Sequence, residues 1–170
     1  MRLIFLDESG ANLSLCRDYA RNFNGERIKC GRPYPRGNKF SILSAISLRG
    51  IKASMYGKWS VDGDIFLTFI DKQLSPKLRH GDVIILDNVN FHRMDKVKDI
   101  IESRGAKLMY LPAYSPDFSP IENMWSKMKT ILKKYAPRTP RQFGKAIKIA
   151  FESISKKDIA GWFKHCGYKV

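Results

Sequence analysis

Residues 82–87 read DVIILD, and the fold turns on how this run is taken. Four consecutive apolar residues without polar alternation describe a strand covered on both faces, the pattern of a central strand in an α/β sheet. The run stops at an acid, Asp87. A second run of the same design, RLIFL at 2–6, stops at Asp7. Open α/β sheets place their ligand sites beyond the carboxyl ends of such strands, so two carboxylates are expected there. Aspartate is also a common turn residue, and either acid alone would carry little weight. Glu8 competes with Asp7, because successive strand residues point to opposite faces and only one of the pair looks into a given site. Periodicity leaves that choice open.

Outward from these two strands the elements alternate. Residues 17–38 are basic and rich in turn dipeptides, which predicts a loop or loose hairpin. Residues 39–48 and 51–59 alternate well enough to form two strands joined at Arg49-Gly50 as an antiparallel hairpin. Apolar residues at 65, 66, 69, 70 and 74 predict an amphipathic helix over 62–74. A helix is expected over 94–103, a strand over 106–111, and a helix over 121–134 that buries Ile121, Trp125, Met128 and Leu132. Two further helices open near Thr139 and Ser155, both with N-cap signals. Trp59 and Trp162, like Trp125, sit in apolar surroundings and read as core. The order implies an α/β sheet with helices on its faces. With 170 residues and 44% hydrophobic content, the chain fits one domain over 1–170.

Composition narrows the function. No apolar run approaches membrane-spanning length, and the four apolar residues after Arg2 are too few for the core of a signal peptide, so the expectation is a cytoplasmic protein without a membrane partner. Cys16, Cys30 and Cys166 are odd in number and lack C-x-x-C spacing, which argues against a disulfide framework or a zinc site. The net charge is +15 and is segregated. Residues 17–58 carry ten Lys/Arg against two acids, and residues 126–170 carry twelve against two, whereas residues 59–125 carry eight against ten. Two basic blocks around a mildly acidic centre describe a polyanion binder whose middle does something other than bind phosphate. Metal binding is one such task; a generally solvated basic surface is the plainer alternative.

A third acid comes from a peculiar stretch, LPAYSPDFSPIE at 111–122. Pro112, Pro116 and Pro120 each fix φ and remove a backbone donor, so the stretch is a stiff spacer ending at a helix start. Ser119 has the N-cap position, Pro120 the first helical position and Glu122 the third. Glu122 is thus either one half of a capping box or a side chain placed for chemistry. Carboxylates brought together repel one another, and a cluster stays ionised chiefly when a cation neutralises it. All-oxygen donors suit Mg²⁺ or Mn²⁺.

FLDESG at 5–10, LDNVNFH at 86–92 and LPAYSPDFSPIENMWSKMK at 111–129 resemble the three signature blocks of DDE transposases, in their mariner-like, bacterial insertion-sequence branch. The 34 residues between Asp87 and Glu122 are a spacing typical of that branch. The resemblance covers nearly the whole chain, since YARNFNGERIKCGRPYPRG at 19–37 and the SAISLRG hairpin also look like the family's intervening segments. It implies a ribonuclease H-like mixed five-stranded sheet flanked by helices, with the site where the first and fourth strands lie side by side. It implies that Asp7, rather than Glu8, joins Asp87 and Glu122 as the catalytic, metal-binding triad, holding two Mg²⁺ or Mn²⁺ ions. The implied activity is metal-dependent DNA cleavage at the ends of an insertion element and strand transfer into target DNA, carried out by a homo-oligomer on DNA. Full-length relatives carry helix-turn-helix recognition domains upstream of the first catalytic strand, so an upstream helix-turn-helix polypeptide is an expected partner. The rival readings are another ribonuclease H-like nuclease and a decayed or domesticated DNA-binding remnant.

Other residues are candidates of lesser weight. Lys129 and Lys133 fall seven and eleven residues after Glu122, on its own helix face along with Ser126, and are expected DNA contacts near the site; the alternative is a solvated face. Asn88 and His92 either contact DNA phosphate and tune the metal's surroundings, or bond each other in a turn. Asn123 is undecided. Tyr114 and Phe118 either stack on an unpaired base or pin the spacer by packing.

Overall fold

The first strand, β1 (Arg2–Asn12), runs 11 residues, about twice the apolar run that announces it. In this computed structural model, which describes residues 2–17, 19, 25, 29, 31, 33, 39–87, 94–112 and 115–170, two neighbours hold β1 in succession. Its first half pairs in parallel with β4 (Asp82–Leu86), from Arg2↔Asp82 to Leu6↔Leu86. Its second half continues alone against β2 (Lys39–Ser47), antiparallel out to Asn12↔Lys39. The predicted end at Leu6 is therefore where one partner stops, not where the strand stops. The polar residues that follow it are tolerated because half of the ladder has already ended.

The expected hairpin is present: β2 turns at Arg49 into β3 (Gly50–Gly57), with a register shift at Ala45/Ile46. Gly50 sits at φ +127, where a side chain would be strained, which accounts for a glycine after Arg49. With β5 (Lys107–Tyr110) parallel to β4, the sheet is five-stranded and mixed in the order β3-β2-β1-β4-β5. Every residue of β4 is buried, as its unbroken apolar run requires.

Helices cover both faces. Phe5, Ile42 and Val83 pack on one side beneath α3 (Pro120–Tyr135), α4 (Pro140–Glu152) and α5 (Lys156–His165). Ile4, Leu43 and Ile84 pack on the other beneath α1 (Gly63–Thr68) and α2 (Met94–Ser103). Each such side chain, fully buried, contributes about 1.5–3 kcal/mol. The predicted helix over 62–74 opens as expected, with Asp62 Oδ1 accepting from the N–H groups of Asp64 and Ile65 at 3.0 and 2.9 Å. It does not stay α-helical. After α1 it widens into a π-helical turn at Phe69–Leu74, which buries Phe69, Ile70 and Leu74 completely, and closes with a 3₁₀ turn at Ser75–Lys77. No helix among the described residues is long and apolar enough to cross a membrane.

The start of α5 shows what a complete capping box looks like in this chain. Ser155 Oγ accepts from the Asp158 N–H at 3.1 Å, and the Asp158 carboxylate accepts from the Ser155 N–H at 2.8 Å and from Lys127 Nζ at 2.6 Å. The Lys127 and Ser155 bonds hold the Asp158 carboxyl down at about 2. A depressed carboxylate contributes stability that is present above its ordinary value and is lost as pH falls through the folded one. The ion pair is partly exposed, so solvent screening leaves most of the contribution to the cap. Asp158→Asn is expected to cost about 1 kcal/mol at neutral pH, with the difference from wild type shrinking between pH 4 and pH 2 in urea unfolding.

Candidate active site

Because the β1–β4 ladder ends at Leu6↔Leu86, the next residues follow it side by side, Asp7 within β1 and Asp87 just past the end of β4. Asp7 follows the alternation of Phe5 and so shares the face covered by α3, whereas Glu8 follows Leu6 to the opposite face. Strand geometry thus separates the two acids that periodicity left as rivals. Glu8 is exposed, with its carboxyl raised by burial of its approach and by the charge of Asp7.

Asp7 is held from above. The indole Nε1 of Trp125, a residue 2% exposed in the core, donates to Asp7 Oδ2 at 2.9 Å. Burial raises the Asp7 carboxyl; the Trp125 and Glu8 N–H groups and the Lys129 ammonium lower it, and the Asp87 carboxylate raises it again. Trp125 was legible only as core. Its spacing of three residues from Glu122 brings the two near one another on α3, but the bond to Asp7 has no mark in the sequence.

Glu122 is the third residue of α3 and is exposed, although Pro120 and Ile121 before it are buried. Burial raises its carboxyl first, then the charge of Asp7; Lys129 lowers it and Asp87 raises it. Asp7, Asp87 and Glu122 therefore act on one another within one field, with Lys129 as the common cation. The capping-box alternative for Glu122 fails. Ser119 makes no side-chain cap bond, and its own N–H donates to Pro116 O at 2.9 Å, within the 3₁₀ turn Pro116–Phe118. The spacer is tied at both ends: Leu111 N–H donates to Leu86 O at 2.8 Å, and Tyr168 Oη donates to Phe118 O at 2.8 Å. The Phe118 ring is 52% exposed, so it is the carbonyl of Phe118, and not its ring, that pins the loop.

The helix that carries Glu122 also sorts the lesser candidates. Lys129 faces the carboxylates and not an empty flank. Lys133, half-buried, lies one turn beyond on the same side. Asn123 turns toward α5, where its amide approaches Cys166 Sγ at 3.9 Å. Asn88, His92, Tyr114 and Cys30 lie outside the described residues.

Among the described residues no three His, Cys, Asp or Glu side chains come close enough to enclose a metal ion. The donor chemistry nevertheless suits a hard divalent cation: three carboxylate groups, all oxygen, of which two are raised by burial and mutual repulsion that a cation would offset.

The sequence pattern of the DDE superfamily endonucleases matches residues 2–142, which span all three acids. The chain belongs to that family. It is 25% identical over 138 residues to the transposable element Tc3 transposase of Caenorhabditis elegans, an alignment covering 77% of this chain and 42% of that protein. In fold it is similar to the Mos1 mariner paired-end complex with Mn, with a TM-score of 0.78 at 18% identity over 98% of this chain and 54% of that one. The separately solved catalytic domain of Mos1 mariner transposase matches with a TM-score of 0.66 at 15% identity, over 98% of this chain and 76% of that domain. The mixed sheet flanked by helices is thus the ribonuclease H-like fold expected from the sequence. The chain spans about half the length of the longer relatives it matches.

Trp125→Phe keeps a buried ring and removes the N–H donor. The Asp7 carboxyl is expected to titrate higher still, read by carboxyl-carbon NMR against pH, with a stability loss of about 1.5–3 kcal/mol at neutral pH. An unmoved Asp7 titration would reduce Trp125 to a packing residue.

Proposed function

We propose that this chain is the catalytic domain of a transposase, cutting DNA at the ends of an insertion element and joining the freed 3′ ends to target DNA. The observation that supports the reading is that the charges of Asp7 and Asp87 both act on Glu122, in a chain whose family match spans all three. The Mos1 structures of the same fold add support: they are paired-end complexes, one with the left transposon end and others with Mn or Mg.

In this reading Asp7, Asp87 and Glu122 hold Mg²⁺ or Mn²⁺, two ions in all. Divalent ions in such a site activate the attacking water or 3′-hydroxyl and stabilise the leaving 3′-oxygen. The protein's own part is to place the carboxylates. Asp7 is fixed by the Trp125 indole N–H, while Asp87 comes from the neighbouring strand end and Glu122 from the helix start. Lys129, and Lys133 one turn on, contact the DNA backbone as it approaches. Recognition of the element's ends belongs to a helix-turn-helix module outside these 170 residues; backbone contacts alone give affinity without sequence information. The working form is a homo-oligomer on DNA.

The test uses the complete transposase and a labelled duplex bearing the element's end. Asp7→Asn, Asp87→Asn and Glu122→Gln are each expected to lower Mg²⁺-dependent cleavage about a hundredfold or more, a loss of several kcal/mol of transition-state stabilisation. Glu8→Ala is expected to stay within a few-fold. Near-full activity of Glu122→Gln would sink the triad, and cleavage without any joined product would favour a simple nuclease.

The raised carboxyls generate a second expectation. A carboxyl raised on folding favours the folded state while protonated, and that advantage is lost as pH rises through its folded value. A cation that offsets the repulsion therefore stabilises the protein most above that range. Mg²⁺ should raise the melting temperature at pH 7 and leave it unmoved at pH 4 or below, and Asp7→Asn should remove the pH 7 effect.

A further inference from the structure

At the opposite end of the sheet from the carboxylates, β1 and β4 begin side by side at Arg2 and Asp82. Asp82 is completely buried, and it is fully engaged: Arg2 Nε donates to its Oδ1 at 2.6 Å and the Arg79 N–H to its Oδ2 at 2.9 Å. Around this single acid the fold collects more cations than it can balance. Arg49 projects from the β2–β3 turn and is exposed; Lys52, half-buried, lies two residues into β3; the exposed Arg79 precedes β4. Lys52 feels Arg2, Arg79 and Arg49 together, and their charges with its burial make its ammonium easier to deprotonate, with Asp82 alone opposing them. Next to this cluster is a cavity of about 320 Å³, lined by Arg2, Arg49 and Lys169 over Leu3 and Leu48.

Five cations around one satisfied carboxylate repel one another, and the arrangement is relieved by an anion brought from outside. We propose that this end of the sheet is a second polyanion site, distinct from the carboxylate site, and that it takes the backbone phosphates of duplex DNA. Arg49, Lys52, Arg79 and Lys169 supply the contacts, and Arg2 is held in place by Asp82. The ligand class follows from the chemistry: phosphate oxygens accept from guanidinium and ammonium groups, and only a repeating polyanion answers cations spread over a turn, a strand and the chain's last residues. Arg2 and Asp7 are five residues apart on β1, about 16 Å at the rise of a strand. The choice of DNA rests on the function proposed above, whereas the existence of an anion site does not.

The test reads binding, without metal or catalysis, so that it stays separate from the test of the triad. The triple variant Arg49→Ala/Lys52→Met/Lys169→Ala leaves the Arg2–Asp82 pair intact. Affinity for a fluorescent duplex of random sequence is measured by anisotropy over a series of salt concentrations, with circular dichroism and melting as the check on folding. The plot of log affinity against log salt is expected to lose slope by about 0.9 for each phosphate contact removed, and Lys52→Arg is expected to keep the wild-type slope. The loss should add to that of Lys129→Ala/Lys133→Ala, since the two sites are separate. An unchanged slope in a folded triple variant overturns the proposal. So does an unchanged DNA slope with weakened binding of a poly-glutamate peptide, which would assign the site to an acidic protein partner.

Discussion

The parallel pairing of β1 with β4 is the constraint on which the rest of the molecule depends. Parallel strands cannot be joined by a tight turn, so a long connection must run between them, and here it consists of the β2–β3 hairpin in the same sheet and the helical segment that covers one face. The same pairing brings two aspartates, 80 residues apart, out of adjacent strands together. Their repulsion is a cost built into the fold. It is sustained because β4 is completely buried and β1 is buried alongside it at Ile4, Phe5 and Leu6, so neither strand slides without moving core side chains on both faces.

The distribution of charge follows from that cost. A chain of net charge +15 surrounds a small acidic centre, and the basic α3 places Lys129 where it partly offsets the carboxylates. Trp125 does the remainder through a hydrogen bond within the core. It couples the packing of α3 to the ionisation of Asp7, so the helix that carries Glu122 also governs its partner on the sheet. Two of the three acids thus depend on the seating of one helix.

Much of this was legible in the sequence, for physical reasons that differ by element. The buried strand at 82–86 and the helix at 94–103 coincide with their apolar patterns, because nothing tertiary overrides them there. The second half of β1 was not legible, since DESGAN has neither an apolar run nor clear alternation and is held as strand only by β2. The π-helical turn at Phe69–Leu74 has no sequence marker; apolar residues at the same positions would equally fit a regular helix. At the site, two S-x-x-acid patterns look alike, yet only Ser155 and Asp158 close a capping box. Ser119 differs because a 3₁₀ turn, invisible in the pattern, already takes its N–H. The Trp125 bond joins residues 118 positions apart and could be seen only in space.

The three acids differ in how firmly the backbone holds them. Asp7 lies in mid-strand, gripped by β2 and by an indole; Asp87 follows the last residue of a buried strand; Glu122 hangs from the first turn of a helix whose cap side chain makes no bond. The arrangement is a tripod with two feet on the sheet and one on a helix start: any change in the seating of α3 alters the stance of Glu122 against a pair of acids that the strands keep in place.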